Sequence, residues 1–145
     1  MGTLALPATS LIYVDAQIVI YSTDHHPVYA SLCLAVWQPE VTTVSSELVL
    51  LETLVGPLRS GDAGLAAARE NLWLQPNATL IPISPSILRE AARLRASIPG
   101  LKSPDAIHAA TALQLSCALF VTNDTGFRRV PGLPMALLDD LLAKP

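Results

Sequence analysis

Short apolar runs rich in β-branched residues alternate along the chain with longer stretches whose apolar side chains return at three- and four-residue steps. The runs at 11–14, 41–44, 79–83 and 118–122 read as strands, and residues 135–138, after Pro131-Gly132-Leu133-Pro134, as a short fifth. Between them, a helix or turn follows residue 15, and residues 27–37 have helical composition. Ser46 is placed to cap a helix that Gly56-Pro57 should stop, and residues 62–73 form the next, with alanines through its centre. Ser84-Pro85 opens a helix on which Ile87, Ala91, Leu94 and Ile98 share a face, and Pro99-Gly100 ends it. Ser103-Pro104 opens another that reaches about Ser116. This alternation predicts an α/β fold with a mostly parallel sheet. Without repeats, low-complexity tracts or a linker, residues 1–145 read as a single domain.

Composition narrows the class. The chain is 51% hydrophobic and 14% charged, which excludes disorder and supplies a sizeable core. The longest apolar stretch, residues 106–121, is interrupted by His108, Thr111, Gln114 and Ser116 and falls short of the ~20 residues a membrane span needs. The first ten residues lack the basic region of a signal peptide, and Leu6 stands where a myristoylation motif requires Ser or Thr. Cys33 and Cys117 have no metal-ligand spacing and read as buried free thiols, the expectation for a cytoplasmic protein. A net charge of −3 argues against a uniformly basic nucleic-acid binder, but two divalent cations would reverse that sign. Arg89, Arg93, Arg95 and Lys102 precede Asp105, and Arg128 and Arg129 follow Asp124, so cations stand near acids in sequence. Solvated helix faces account equally well for the first group.

Four acids sit where strands should end and helices begin: Asp15, Glu52, Asp105 and Asp124. Ligands of open parallel sheets bind at the carboxyl ends of the strands. Carboxylates gathered there repel one another unless a cation holds them. Three have adequate structural roles: Asp15 as a helix cap, Asp105 as a first-turn charge favoured by the helix dipole, Asp124 as a turn residue. Glu52 differs. Its helix-face neighbours are Leu48, Val49, Val55 and Gly56, and no Lys or Arg occurs before Arg59. A carboxylate in apolar surroundings requires a partner; a metal is the economical one, a distant arginine or a protonated carboxyl the alternatives. His108, three residues after Asp105 on the same helix face, either lines the site or is a packed, hydrogen-bonded histidine, the latter being the commoner case. Thr122 and Asn123, directly before Asp124, are candidates to orient a ligand or water. Glu47, Asp24, Asp62, Asp139, Asp140 and the pair His25-His26 read as first-turn, loop or surface residues.

Taken together, Ile12-Tyr13-Val14-Asp15, the run from Ser46 through Glu47 to Glu52, Ser103-Pro104-Asp105-Ala106-Ile107-His108-Ala109-Ala110 and Phe120-Val121-Thr122-Asn123-Asp124-Thr125-Gly126-Phe127 resemble the PIN domain, and most of all the VapC-type toxins of bacterial toxin–antitoxin modules. The resemblance spans nearly the whole chain. It implies a three-layer α/β/α domain with a parallel sheet of about five strands. It further implies an Mg²⁺- or Mn²⁺-dependent ribonuclease that is often a homodimer and is inhibited by a cognate antitoxin. The family's acidic quartet falls on Asp15, Glu52, Asp105 and Asp124, with Asn123 beside the fourth. The family often carries Thr or Ser just after the first acid and a hydroxyl or amide next to that; Ala16 and Gln17 stand there, and Ala16 removes one hydroxyl contact. Water would attack the RNA phosphodiester in line, with Arg128 and Arg129 holding phosphates. The alternative is a non-catalytic PIN-like RNA-binding or scaffold protein, which has no need of an intact quartet. An aspartyl phosphatase would want an acid at Gln17, a phospho-receiver a lysine at a late strand end, and a dinucleotide fold glycines after the first strand. The apolar residues around 27–37 and 56–65 are candidates for a dimer or partner surface, with core packing as the alternative.

Overall fold

Leu11–Val14 forms strand β1 at the centre of the sheet, and Ile12, Tyr13 and Val14 are wholly buried, as a strand covered on both faces requires. The computed structural model describes residues 2–7 and 10–143. Within it β2 (Thr42–Ser46), β3 (Ala78–Ile81), β4 (Leu119–Thr122) and β5 (Met135–Leu137) complete a five-stranded sheet in the order β3-β2-β1-β4-β5. Every pairing is parallel; Tyr13 lies opposite Val44 on one side and Phe120 on the other.

Side chains alternate across the strands, so two cores form. Tyr13, Val44 and Phe120 pack with Ile87, Ala91 and Leu94 of α5 (Pro85–Ser97) and the alanines of α6 (Ser103–Gln114). Ile12, Val14 and Val121 pack with Ile18 and Val19 of α1 (Ala16–Thr23), Leu32 and Cys33 of α2 (Ala30–Cys33) and Val49 of α3 (Leu48–Ser60). Leu138 and Leu141 of α7 (Leu138–Leu142) join this second core, and α4 (Ala63–Asn71) packs on α3. The expected three-layer α/β/α arrangement is the one observed. Because all strands run the same way, their carboxyl ends share one edge, where β1 turns into α1 and β2 into α3.

Several boundaries differ from expectation for physical reasons. Helix α3 does not stop at Gly56-Pro57 but continues to Ser60 and closes on Gly61, whose φ of 73° is a left-handed cap. Pro57 lacks the N–H that would bond the Thr53 carbonyl. Arg69 of α4 supplies the donor instead, its Nη1 lying 2.8 Å from that oxygen. The same buried guanidinium donates to Thr23 at 3.0 Å and to Asp24 at 2.8 Å, tying α1, α3 and α4 together. Ser46 ends β2 instead of occupying the cap position, although its Oγ accepts from Leu48 N at 3.2 Å. Residues 27–37 contain only the four-residue α2 and a 3-10 helix, Leu34–Trp37. The fifth strand gives way at Leu138 to α7, with Asp139 and Asp140 in its first turn. Cys33 and Cys117 are buried free thiols, and burial pushes both pKa values up to about 11.

Candidate functional site

Asp15 follows β1 in an extended conformation, so its side chain folds back over the start of α1. Oδ1 accepts from the amides of Gln17 (3.1 Å) and Ile18 (3.4 Å), two of the donors a helix start leaves unpaired. Oδ2 accepts from the Thr122 hydroxyl at the end of the neighbouring strand β4. That hydroxyl also accepts the Asp124 N–H at 3.0 Å, so one buried side chain holds two acid-bearing segments in register. Asp124 in turn accepts from Gly126 N at 2.8 Å and caps the 3-10 helix Thr125–Arg129. A Cβ at Gly126 would stand 3.0 Å from the Asp124 carboxylate, a contact too tight to keep this turn unchanged.

Glu52 lies in the second turn of α3 and is 27% exposed. Its partner is neither arginine nor a neighbour on its own helix: His108 of α6 places Nε2 2.5 Å from Oε1. The other ring nitrogen, Nδ1, is 2.6 Å from the Tyr13 hydroxyl, whose oxygen accepts the Ser46 N–H at 3.0 Å. The lack of a cation near Glu52 in sequence therefore does not by itself require a metal. Asp105 sits half-buried in the first turn of α6.

These side chains meet in a cleft of about 120 Å³ lined by Asp15, Ala16, Gln17, Glu52, Asp105, His108, Asp124 and Phe127. The four acids, from four separate places in the chain, thus share one cavity with His108. Asn123 faces elsewhere: its Oδ1 accepts from Asp139 N at 3.0 Å, at the start of α7. Arg128 pairs with Asp140 at 3.0 Å, and Arg129 donates to the carbonyls of Pro99 (2.7 Å) and Gly126 (3.3 Å). Neither arginine lines the cleft. Two contributors were missed from sequence. Phe127, packed on Phe120 at 4.7 Å, had its place in the last motif as a signal, and Tyr13, which anchors His108, had its place in the first.

The electrostatics suit a cation. Burial pushes the Asp15 carboxyl up to about 6, partly countered by the Thr122 hydroxyl. Burial, and then repulsion from Asp124, raise Asp105 as well. All four acids offer hard oxygen donors, the chemistry Mg²⁺ and Mn²⁺ prefer. Among the described residues no three His, Cys, Asp or Glu side chains are already gathered closely enough to hold a metal ion together. No helix among the described residues is long and apolar enough to cross a membrane.

A family model for the PIN domain matches residues 12–133. No curated protein sequence matches the chain. Similar solved structures include VapBC2 from Rickettsia felis bound to a promoter DNA fragment (TM-score 0.70, 20% identity, covering 88% of this chain and 98% of that one). A toxin–antitoxin complex from Klebsiella pneumoniae gives a TM-score of 0.65 at 23% identity, covering 88% and 97%. The sarcin–ricin loop cleaving toxin VapC20 of Mycobacterium tuberculosis gives 0.68 at 17% identity, covering 83% and 95%.

Proposed function

The chain belongs to the PIN-domain family, and on that premise we propose that it is a metal-dependent endoribonuclease, the toxin of a toxin–antitoxin pair. The observation that carries this reading is the convergence of Asp15, Glu52, Asp105 and Asp124 on one small cleft at the carboxyl edge of the sheet. Asp15, Glu52, Asp105 and Asp124 would hold Mg²⁺ or Mn²⁺ there. When bound, such an ion offsets charge on a phosphodiester and favours ionisation of the attacking water. The protein's own part is placement. Thr122 and two backbone amides fix Asp15, and Gly126 fixes Asp124, so the acids need little reorganisation to meet a ligand. Asp105, whose proton affinity is raised by burial and by Asp124, is suited to accept a proton from the water. The cleft has room for a phosphate group. RNA as substrate and an antitoxin as partner rest on the likeness to VapC-type proteins; the homodimer rests on the family resemblance alone, and the cytoplasmic setting on the free thiols Cys33 and Cys117.

The test is purified protein with structured and single-stranded RNAs, with Mg²⁺ or Mn²⁺ and then with EDTA. Cleavage should need the metal and disappear in an Asp15→Ala/Asp105→Ala double variant; full cleavage in either condition refutes the proposal. Growth arrest on expression without a partner, relieved by Asp105→Asn, distinguishes the nuclease from a scaffold.

A further inference from the structure

Helix α6 meets the sheet with small residues: Ala106, Ala109, Ala110, Thr111 and Ala112 are all buried. His108 is the exception, an imidazole 2% exposed in the same face. A polar ring in that place is costly unless both nitrogens are satisfied. Both are, by groups from three other elements: the Ser46 amide meets the Tyr13 hydroxyl, that hydroxyl meets Nδ1, and Nε2 meets Glu52. Stacking of Tyr13 on Phe120 at 4.9 Å, with rings 6° from parallel, further restricts the tyrosine.

We propose that His108 is a positioning residue, anchored through Tyr13 and Ser46, which holds one oxygen of Glu52 and so keeps that carboxylate set for a divalent cation. This rests on the metal-dependent reading of the cleft. Asp15 and Asp124 are set by backbone amides at caps. Glu52 projects from a helix face on a longer side chain, and His108 does for it what the caps do for the others. A carboxylate can only accept, so the tautomer that satisfies both ends presents Nε2–H to Glu52 and takes the tyrosine's proton at Nδ1, while the tyrosine oxygen accepts from Ser46 N–H. The arrangement parallels an outer-shell ligand contact, with histidine as the orienting group and carboxylate as the ligand.

The experiment titrates Mn²⁺ alone into metal-free wild type, His108→Gln, His108→Leu and Tyr13→Phe by calorimetry, with a melting curve for each. A glutamine amide reaches the position of Nε2 and donates as it does. His108→Leu should weaken Mn²⁺ binding about 10–100-fold, Tyr13→Phe several-fold, and His108→Gln should restore affinity to within about threefold. In metal-free wild type the Nε2-bound proton should give a downfield resonance protected from exchange, and Glu52→Ala should remove that protection. Wild-type affinity in His108→Leu, or glutamine no better than leucine, overturns the role of His108 alone. A wild type that binds no Mn²⁺ overturns the metal reading and this role with it. Where His108→Leu fails to fold, Tyr13→Phe decides: unchanged affinity together with an unchanged resonance overturns the proposal.

Discussion

Replacing Asp15 by Asn should make the metal-free protein more stable while removing its function. Asp15 is 5% exposed, and burial lifts its carboxyl from 3.8 to about 6. The folded state therefore binds the proton more tightly than the unfolded chain. The cost of keeping the group ionised is fully present above about 6 and fades as pH falls towards 3.8. At ~1.4 kcal/mol per pKa unit, that cost is at most about 3 kcal/mol. Asparagine keeps an oxygen for the Gln17 and Ile18 amides but offers the Thr122 hydroxyl a donor instead of an acceptor, which returns about 1 kcal/mol. The net gain of about 2 kcal/mol corresponds to a rise of roughly 4–8 °C in melting temperature for a chain of this size. Circular-dichroism melts in EDTA at pH 8 and pH 4.5 measure it. Mn²⁺ should reverse the order, because at a hundredfold excess over Kd a ligand stabilises its protein by about 2.7 kcal/mol, and the Asp15→Asn variant has lost the charge that binds it. A variant that melts at or below wild type at pH 8 in EDTA, or a difference that does not shrink on acidification, refutes the reasoning.

Two further substitutions test the scaffold beneath the acids. Thr122→Val leaves the Asp124 amide without its acceptor and Asp15 Oδ2 without its donor; urea unfolding should show a loss of about 1–3 kcal/mol, and RNA cleavage should fall at least about tenfold, with Thr122→Ser close to wild type. Arg69→Met should cost about 2–3 kcal/mol, because Asp24 is half-exposed and only the Thr53 carbonyl is left buried and unpaired; Pro57→Ala restores an N–H to that carbonyl, so the two changes should couple by about 1 kcal/mol or more, while RNA cleavage in Arg69→Met stays near wild type under folding conditions.

The strands and their common direction were legible because a sheet covered on both faces is written as short apolar runs between helical patterns. What slipped was set by contacts distant in sequence. Ser46 looks like a cap residue, yet it lies buried in β2 beside Ser45, whose hydroxyl finds the Val14 carbonyl at 2.7 Å. Gly56-Pro57 is a sound stop signal, overridden by a guanidinium from the next helix. At the site, adjacency in sequence did not place Asn123, Arg128 or Arg129 on the lining of the cleft. The 3-10 helix after Asp124 keeps Phe127 in the cleft, while Arg128 and Arg129 pair with Asp140, Pro99 and Gly126 outside it. Glu52 was singled out on the ground that no cation stood near it; its partner, His108, lies 56 residues away, a separation no local pattern reports.

Asp15 and Asp124 also show why their structural and functional readings are not rivals. Each carboxylate caps the element that follows it. Capping fixes its rotamer, and a fixed rotamer is what a ligand site requires. Asp15 divides the tasks between its oxygens: Oδ1 serves the helix, and Oδ2 is joined through Thr122 to the segment that carries Asp124. Removing the charge while keeping the shape leaves the cap and relieves the burial of an ion; removing Thr122 leaves the charge and loosens the geometry. If the acids were caps and nothing more, Asp15→Asn would be close to neutral for RNA cleavage and Thr122→Val would matter only through stability. A site built for a cation predicts the opposite for both: Asp15→Asn gains stability and loses cleavage, and Thr122→Val loses cleavage beyond what its unfolding explains.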